Sequence, residues 1–536
     1  MLLADRRIEL DPRPTSARAP VLPAVMLGHC PGNARWERLA DDRALLAEIG
    51  ALGFEREVRR LKALSQPALT PVAAADPGDD ALRELYRLPI PVYSLGQFQA
   101  LFPDAFETPT RYRSRLAGAM AWLPLAVQDF FDGAGALPAG ATKLWIIRVP
   151  EVEGRAAMLP GAESSARLLD PAALGAFERA LMIPEVGLIA LPDLERLQIP
   201  ANLADIPRVR LPNPEPRFLP CGHEINDGHR ERRSGGEMPD DDPPLGAAAS
   251  IAPILRALRR HRPDLQCLFA LPFDADAGSE APRPDRATLD YIATPPTALD
   301  PGGSLPAEAV TRLHQIQFLY PYLRGPDRPL GSPSGLIAGM QARVSAERGV
   351  WRSSAGQPLP GNAQPYPPPT QQLATDLRER PGIGVLLRRR GLVELDDERL
   401  AAPVLVTHAF STGAAAERQD EHYRSGEVAR FLGWLRRELT RLGEALLFDV
   451  DPRDPRPEIA LRGLLTRLHQ ARALRGKLPE QAFRLRRLDA PVSQLLFEIE
   501  IAPAFPIDRI RLTFAQNRAA AGGTSIDVIA SGGGNG

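Results

Sequence analysis

Cys221-Gly-His223-Glu224, with Asp227 and His229 close behind, puts zinc-type ligands in one short stretch. A structural zinc site takes four ligands, usually as regular pairs such as C-x2-C or H-x3-H. A single Cys with irregular gaps in a Pro- and Asp-rich stretch reads instead as a solvated loop, so no metal is expected. Gly523-Thr524-Ser525-Ile526 offers a serine among glycines. Serine catalysis needs a His base oriented by an Asp, and no Asp-[Ser/Thr]-Gly or His-Gly-Thr stretch lies upstream. Gly133-Ala-Gly135 precedes an apolar strand, whereas a dinucleotide loop follows one. Gly476-Lys477 lacks the upstream Gly and the following Ser or Thr of a phosphate loop. His29, His314, His408, His422 and His469 are scattered. The expectation is no catalytic residue, no cofactor and no metal.

The bulk of the chain agrees with that reading. Its 536 residues suffice for about three or four ordinary domains, each with its own core. An apolar share of 44% with 24% charge is that of a globular protein. The net charge of −1 gives no sign of a polyanion partner, and no basic stripe is evident. Lys62, Lys143 and Lys477 are the only lysines, so the positive charge is nearly all Arg, the residue suited to bidentate ion pairs at interfaces. Cys30, Cys221 and Cys267 are odd in number and far apart, which argues against a disulfide framework and for synthesis in a reducing cytosol. No signal peptide and no membrane-length apolar run is visible.

The periodicities alternate between helix and strand. Residues 21–29 read as a short apolar strand, and 36–65 as two helices broken near Gly50–Gly53. A short helix follows Ser94, another runs from Leu116 to Phe131, and Lys143–Val149 reads as a buried strand. Further strands are expected at 186–191, 265–271, 382–387, 403–408, 495–501 and 507–514, and helices at 171–181, 251–260, 426–448 and 457–474. Such alternation implies an α/β core with a parallel or mixed sheet. Residues 212–246 and 354–370 read as Pro-rich loops. At 333–335, Pro-Ser-Gly reads as a tight turn. In the apolar run that follows, Gly339 would let another backbone approach closely.

The ordered string Pro333, Ser334, Gly335, Gly339, Arg343, Glu347, Arg348, Gly349 and Trp351 resembles the signature of contractile tail sheath proteins of phage tails, pyocins and extracellular injection systems. The likeness spreads in order over most of the chain. Val92, Ser94, Gln97-Phe98 and Leu101-Phe102 are similar to the family's first helix. Leu123, Ala126-Val127 and Phe130-Phe131-Asp132-Gly133 are similar to its second, and Trp145–Val149 to the strand after it. Val186–Pro192, Gln266–Pro272 and Leu319-Tyr320-Pro321-Tyr322 resemble later core strands. Gly433–Asp451, Gly476–Phe483 and Ala502–Arg511 resemble the C-terminal part. Gly523-Thr524-Ser525 echoes a subtilase motif, but fold likeness does not carry activity.

The resemblance implies a multi-domain α/β tail-sheath fold with a subtilisin-like α/β core, an α+β C-terminal domain and extended terminal arms. The implied layout is an arm over 1–20 and an N-terminal sheath region over 21–155 with an inserted helical segment at 35–85. The subtilisin-like domain follows over 156–410, then a C-terminal domain over 411–515 ending in an exchange strand, and a flexible tail over 516–536. The exchange strand would carry Ile507, Ile510, Leu512 and Phe514. The implied partners are further copies or sheath paralogues, an inner tube protein, and baseplate and cap proteins, without nucleic acid or membrane insertion. The implied setting is cytoplasmic synthesis and assembly into a particle that is released. The insertion, the long loops and a divergent stretch at 382–407 leave open a main contractile subunit or a specialised baseplate-proximal or cap scaffold. An α/β hydrolase is the distant alternative.

Overall fold

A computed structural model describes residues 22–65, 77–111, 114, 116–135, 137, 142–161, 173–199, 245–274, 282–293, 315–326, 328–379, 382–401, 406–408, 417–419, 425–446, 454–489, 494–504, 510–517 and 523–529. The arm at 1–20, Ile507 and the Cys221–His229 stretch lie outside them. The described chain divides into two units, one of residues 22–344 and 352–437, the other of 345–351 and 438–529.

The chain opens with β1 (Ala24–His29), then α1 (Trp36–Asp41), α2 (Arg43–Ala51), α3 (Glu55–Ser65), α4 (Pro77–Arg83), β2 (Pro89–Val92), α5 (Leu95–Leu101), α6 (Trp122–Ala134) and β3 (Leu144–Val149). There follow α7 (Ala176–Leu181), β4 (Leu188–Ala190), α8 (Pro192–Arg196), α9 (Ala247–His261), β5 (Gln266–Ala270), β6 (Phe273–Asp274), β7 (Arg283–Pro284), α10 (Arg286–Ala293), β8 (Ile316–Tyr320), β9 (Tyr322–Gly325) and β10 (Arg328–Gly331). Next come α11 (Ser334–Arg348), β11 (Gln364–Tyr366), α12 (Gln371–Glu379), β12 (Gly384–Arg389), β13 (Leu392–Leu395), β14 (Val406–His408), β15 (Glu417–Gln419) and α13 (Gly426–Leu446). The C-terminal elements are α14 (Arg456–Gln470), α15 (Pro479–Ala482), β16 (Phe483–Leu488), β17 (Gln494–Ile501), β18 (Ile510–Asn517) and β19 (Gly523–Ile529).

Eight strands of the larger unit form one mixed sheet in the order β13-β12-β8-β5-β4-β1-β3-β2. The six between the outermost two run parallel, and β2 and β13 close the ends antiparallel. Parallel strands linked by helices are covered on both faces, so they carry unbroken apolar runs. Every residue of β1, β3, β4, β5 and β8 is accordingly buried. Trp122, Phe273 and Tyr322 pack ring against ring in the core, at 5.4 and 4.5 Å between centroids.

Three local differences from the sequence reading have physical causes. Residues 36–51 form two helices because Asp42 stops α1 and caps α2, accepting from the amides of Ala44 and Leu45 at 3.0 and 3.1 Å. The helix expected from Leu116 begins only at Trp122, because Gly118 turns the chain at φ +76° and bonds back to the Ser114 carbonyl. The Pro-rich loop at 354–370 contains β11, which pairs with β9.

Arg148 on β3 holds the inserted helices to the sheet. It is 2% exposed, and its guanidinium donates to the carbonyls of Cys30 (2.7 Å), Glu84 (2.7 Å) and Gly32, and to the Glu84 carboxylate (2.8 Å), while lying over the Tyr86 ring. Removing it strands three carbonyls and a carboxylate at once. Arg148→Leu is therefore expected to cost about 3–5 kcal/mol. The check is a denaturant midpoint with proteolysis across 36–65; an unchanged midpoint would contradict the role.

Candidate functional site at the carboxyl ends of the sheet

Open α/β sheets bind ligands outside the strand carboxyl ends where the strand order reverses, and helix N-termini there favour anions. Here β1 has β3 on one side and β4 on the other, and the chain fills that place with its own carboxylates. Asp193, on α8 directly after β4, is fully buried. It accepts from the amides of Trp122 and Leu123, the first turn of α6, and of His29 at the end of β1, each at 2.9 Å. Ala121, the residue preceding α6, gives no side-chain cap, so Asp193 supplies the missing acceptor from far along the chain. Gly28 makes the room: a β-carbon there would lie 2.4 Å from the Asp193 carboxylate.

Glu195, two residues on, is also fully buried and accepts from the Ala270 amide at the end of β5 at 3.0 Å. Its other oxygen lies 3.4 Å from the Ser334 hydroxyl at the start of α11, which meets Ser332 at 2.7 Å. Burial pushes the Glu195 carboxyl up to about 8, against the pull of its hydroxyl and amide neighbours. Burial likewise raises Asp193 to about 6, outweighing the Arg196 charge and the three amides. Glu195 is thus a largely neutral acid near pH 7, and the cluster is sealed from solvent.

Ser334, Gly335, Gly339, Arg343, Glu347 and Arg348 of the sheath-like string lie in one helix, with Pro333 before it and Gly349 and Trp351 after it. Ser334 begins α11 where a tight turn was expected, and the Pro333 carbonyl accepts from the Ile337 amide at 3.0 Å. Gly335 and Gly339, one turn apart, face α6. Added β-carbons would sit 2.4 Å from the Ala126 carbonyl and 2.0 Å from that of Phe130. From the other side, Gly133 of α6 would meet the Leu336 carbonyl at 2.5 Å. The two backbones touch, as the Gly339 spacing suggested. Arg343 lies beside Gly135, Glu347 and Arg348 are exposed, and Gly349 ends α11 at φ +101° under the Trp351 ring.

Two buried ionic groups, neither anticipated from the sequence, anchor the same helices. Asp129 on α6 pairs with Arg328 on β10. Glu398 and Arg430 form a fully buried pair at 2.6 Å, and Glu398 also accepts from the Ser354 amide (3.1 Å) and from Gln341 of α11 (3.3 Å). Gln341 reaches Gln317 of β8, which Gln266 of β5 also contacts. The sequence flagged none of these, since an acid or amide inside an apolar strand or helix looks like any surface residue until its partner is known. The one available hint was Pro192-Asp193 closing an apolar strand.

In the smaller unit β16–β19 form one antiparallel sheet, with Leu495, Phe497, Ile499, Ile501 and Phe514 buried. β18 is an inner strand, paired in full register with β17 and with β19. This corrects two expectations. The strand carrying Ile510, Leu512 and Phe514 is bonded on both sides within its own chain, and residues expected in a flexible tail form β19. Glycine and serine content around 520–525 hid a β-branched run, Thr524 to Ile529. Among the described residues the outer strands are β16 and β19.

No known family model and no curated protein matches the chain. Solved structures do. The contracted helical sheath of the anti-feeding prophage is 16% identical, with a TM-score of 0.46 over 94% of this chain and 97% of that one. The contracted baseplate of the same particle gives 16%, 0.48, 94% and 96%. The contracted sheath complex of the PVC extracellular contractile injection system gives 13%, 0.42, 78% and 83%. The structural neighbours are contractile sheath proteins. Among the described residues no helix is long and apolar enough to cross a membrane, and no group of three or more His, Cys, Asp or Glu is placed to hold a metal ion.

Two outcomes test this site. Gly339→Ala forces the α6 and α11 backbones apart and is expected to cost about 1–3 kcal/mol. Gly96→Ala, at a roomy position in α5, should instead stabilise by up to about 1 kcal/mol; equal effects in chemical denaturation would refute the contact. The second concerns pH. Because Glu195 and Asp193 hold protons when folded at pH values where they ionise unfolded, their contribution falls as pH rises, through about 6 for Asp193 and about 8 for Glu195. Glu195→Gln, which mimics the neutral acid, should lose less stability between pH 5 and 8.5 and exceed wild type at the upper end by on the order of 1–3 kcal/mol. Parallel pH profiles would count against the assignment.

Proposed function

We propose that this chain is a structural subunit of the contractile sheath of a phage-tail-like injection particle, polymerising helically around an inner tube and contracting to drive it into a target cell. The observation that carries the reading is the pair of touching helices at the signature. Ordered motifs run from Val92 to Arg511, and in the larger unit, read as the subtilisin-like core, Gly335 and Gly339 meet α6 backbone to backbone. A small sheet whose outer strands, among the described residues, are β16 and β19 supports joining through strand addition, in which backbone hydrogen bonds make a generic, strong link. Head-to-tail joints of that kind do not close and so build a helix. Contraction in this reading is rigid-body rotation of subunits kept linked by their chain ends, residues 1–20 above all. Because β18 is already bonded on both sides, an incoming strand would add to an outer strand of this sheet.

A non-enzymatic role accords with the carboxyl-end crevice being filled by Asp193 and Glu195. Assembly in the cytoplasm and release with the particle complete the proposal. Full-length protein, alone or with a tube subunit, should form cylinders in negative stain, and deletion of residues 1–20 should leave a folded protein that does not polymerise. Cylinders from the truncated chain would overturn the role of the arm. Failure of the full-length chain to form any under either condition would overturn the sheath reading.

A further inference from the structure

Of the 65 basic residues in the chain only three are lysines, and one of them, Lys143, is enclosed. Its side chain, directly before β3, is 14% exposed. The ammonium nitrogen lies 2.5 Å from the Glu48 carboxylate of α2 and 2.5 Å from that of Glu185, in the turn between α7 and β4. Two aromatic faces complete the enclosure: the Trp145 ring centre is 4.7 Å from the nitrogen and that of Tyr93, directly after β2, is 5.7 Å away. Each ring also fixes one carboxylate. The Tyr93 hydroxyl donates to Glu48 at 2.6 Å, and the Trp145 indole N–H donates to Glu185 at 2.7 Å. Burial works against the charge, but the hydrogen bonds to Glu185 and Glu48 outweigh it and hold Lys143 above the usual lysine range.

The shape of the enclosure explains the lysine. A guanidinium suits a single carboxylate met edge to edge, as at Arg60–Asp79 with contacts of 2.7 and 2.6 Å. Around Lys143, carboxylates from two different elements converge on one nitrogen beneath two ring faces, which fits a compact ammonium better than a planar fork. We propose that Glu48, Glu185, Tyr93 and Trp145 form a binding site selective for a primary alkylammonium. Lys143 occupies it as a tethered ligand, and so latches α2 of the inserted helices to the sheet. The site stands or falls independently of the sheath reading.

The test empties the site and refills it. n-Propylammonium is the part of lysine beyond the β-carbon, so it should restore what Lys143→Ala removes. Thermal melts of the full-length wild type, Lys143→Ala and Lys143→Arg are compared in about 100 mM n-propylammonium, tetramethylammonium or sodium chloride. The alanine variant should melt lower than wild type, and n-propylammonium should raise its midpoint by at least about 2 °C more than it raises that of the wild type. Tetramethylammonium and sodium should give no such difference. The arginine variant, although it keeps the charge, should melt about 2–4 °C below wild type. In both variants amide hydrogen exchange should quicken over residues 43–51. No preferential recovery with n-propylammonium would overturn the site, and equal recovery with the other salts, or an arginine variant as stable as wild type, would overturn its selectivity. Unchanged exchange over α2 would overturn the latch. If Lys143→Ala does not fold unaided, the yield of folded protein on refolding in each salt replaces the melt, with the same deciding outcomes.

Discussion

The direct contact between the backbones of α6 and α11 is the constraint on which the larger unit depends. Gly335 and Gly339 on one helix and Gly133 on the other leave no room for a β-carbon at the crossing, so the separation of the two axes is set by main-chain atoms. With α11 so placed, Ser334 comes to Glu195 and Gln341 to both Gln317 and Glu398. With α6 so placed, its first-turn amides reach Asp193 and Asp129 reaches Arg328. Shifting either helix would break several buried polar contacts together, each costly to leave unmade.

Those contacts stand where an enzyme of this topology would keep a ligand. The positive end of α6 and the free amides at the ends of β1 and β5 are satisfied by carboxylates from α8. Burial keeps Glu195 largely protonated near neutral pH, which spares the interior one unpaired charge. What a catalytic fold would leave open for substrate is here given to joining sheet and helices.

The smaller unit is built on another plan. Its sheet has unlike outer strands: β16 bears Arg484, Arg486 and Arg487, while β19 is mostly β-branched with the single charge Asp527. Arginines on an outer strand discourage pairing with another chain, and a β-branched strand does not. The cross-strand partners Arg484–Glu500 and Arg486–Glu498 add opposite charges in register on β16 and β17.

What the sequence determined by itself was local. Unbroken apolar runs such as Trp145–Val149 and Gln266–Ala270 specified buried parallel strands, because a strand covered on both faces has no polar side to show. Gly339 marked a close backbone approach, since absence of a side chain is visible without knowing the neighbour. Tertiary structure alone decided the pairings at a distance. The carboxylate of Asp193 meets amides some 70 and 164 positions away, and Glu398 finds Arg430 from another element. It also decided that Pro333-Ser334-Gly335 leads into a helix and that residues 523–529 complete a sheet. A Gly- or Ser-rich stretch has weak preferences of its own, and the partner it packs against, which lies elsewhere in the chain, supplies the rest.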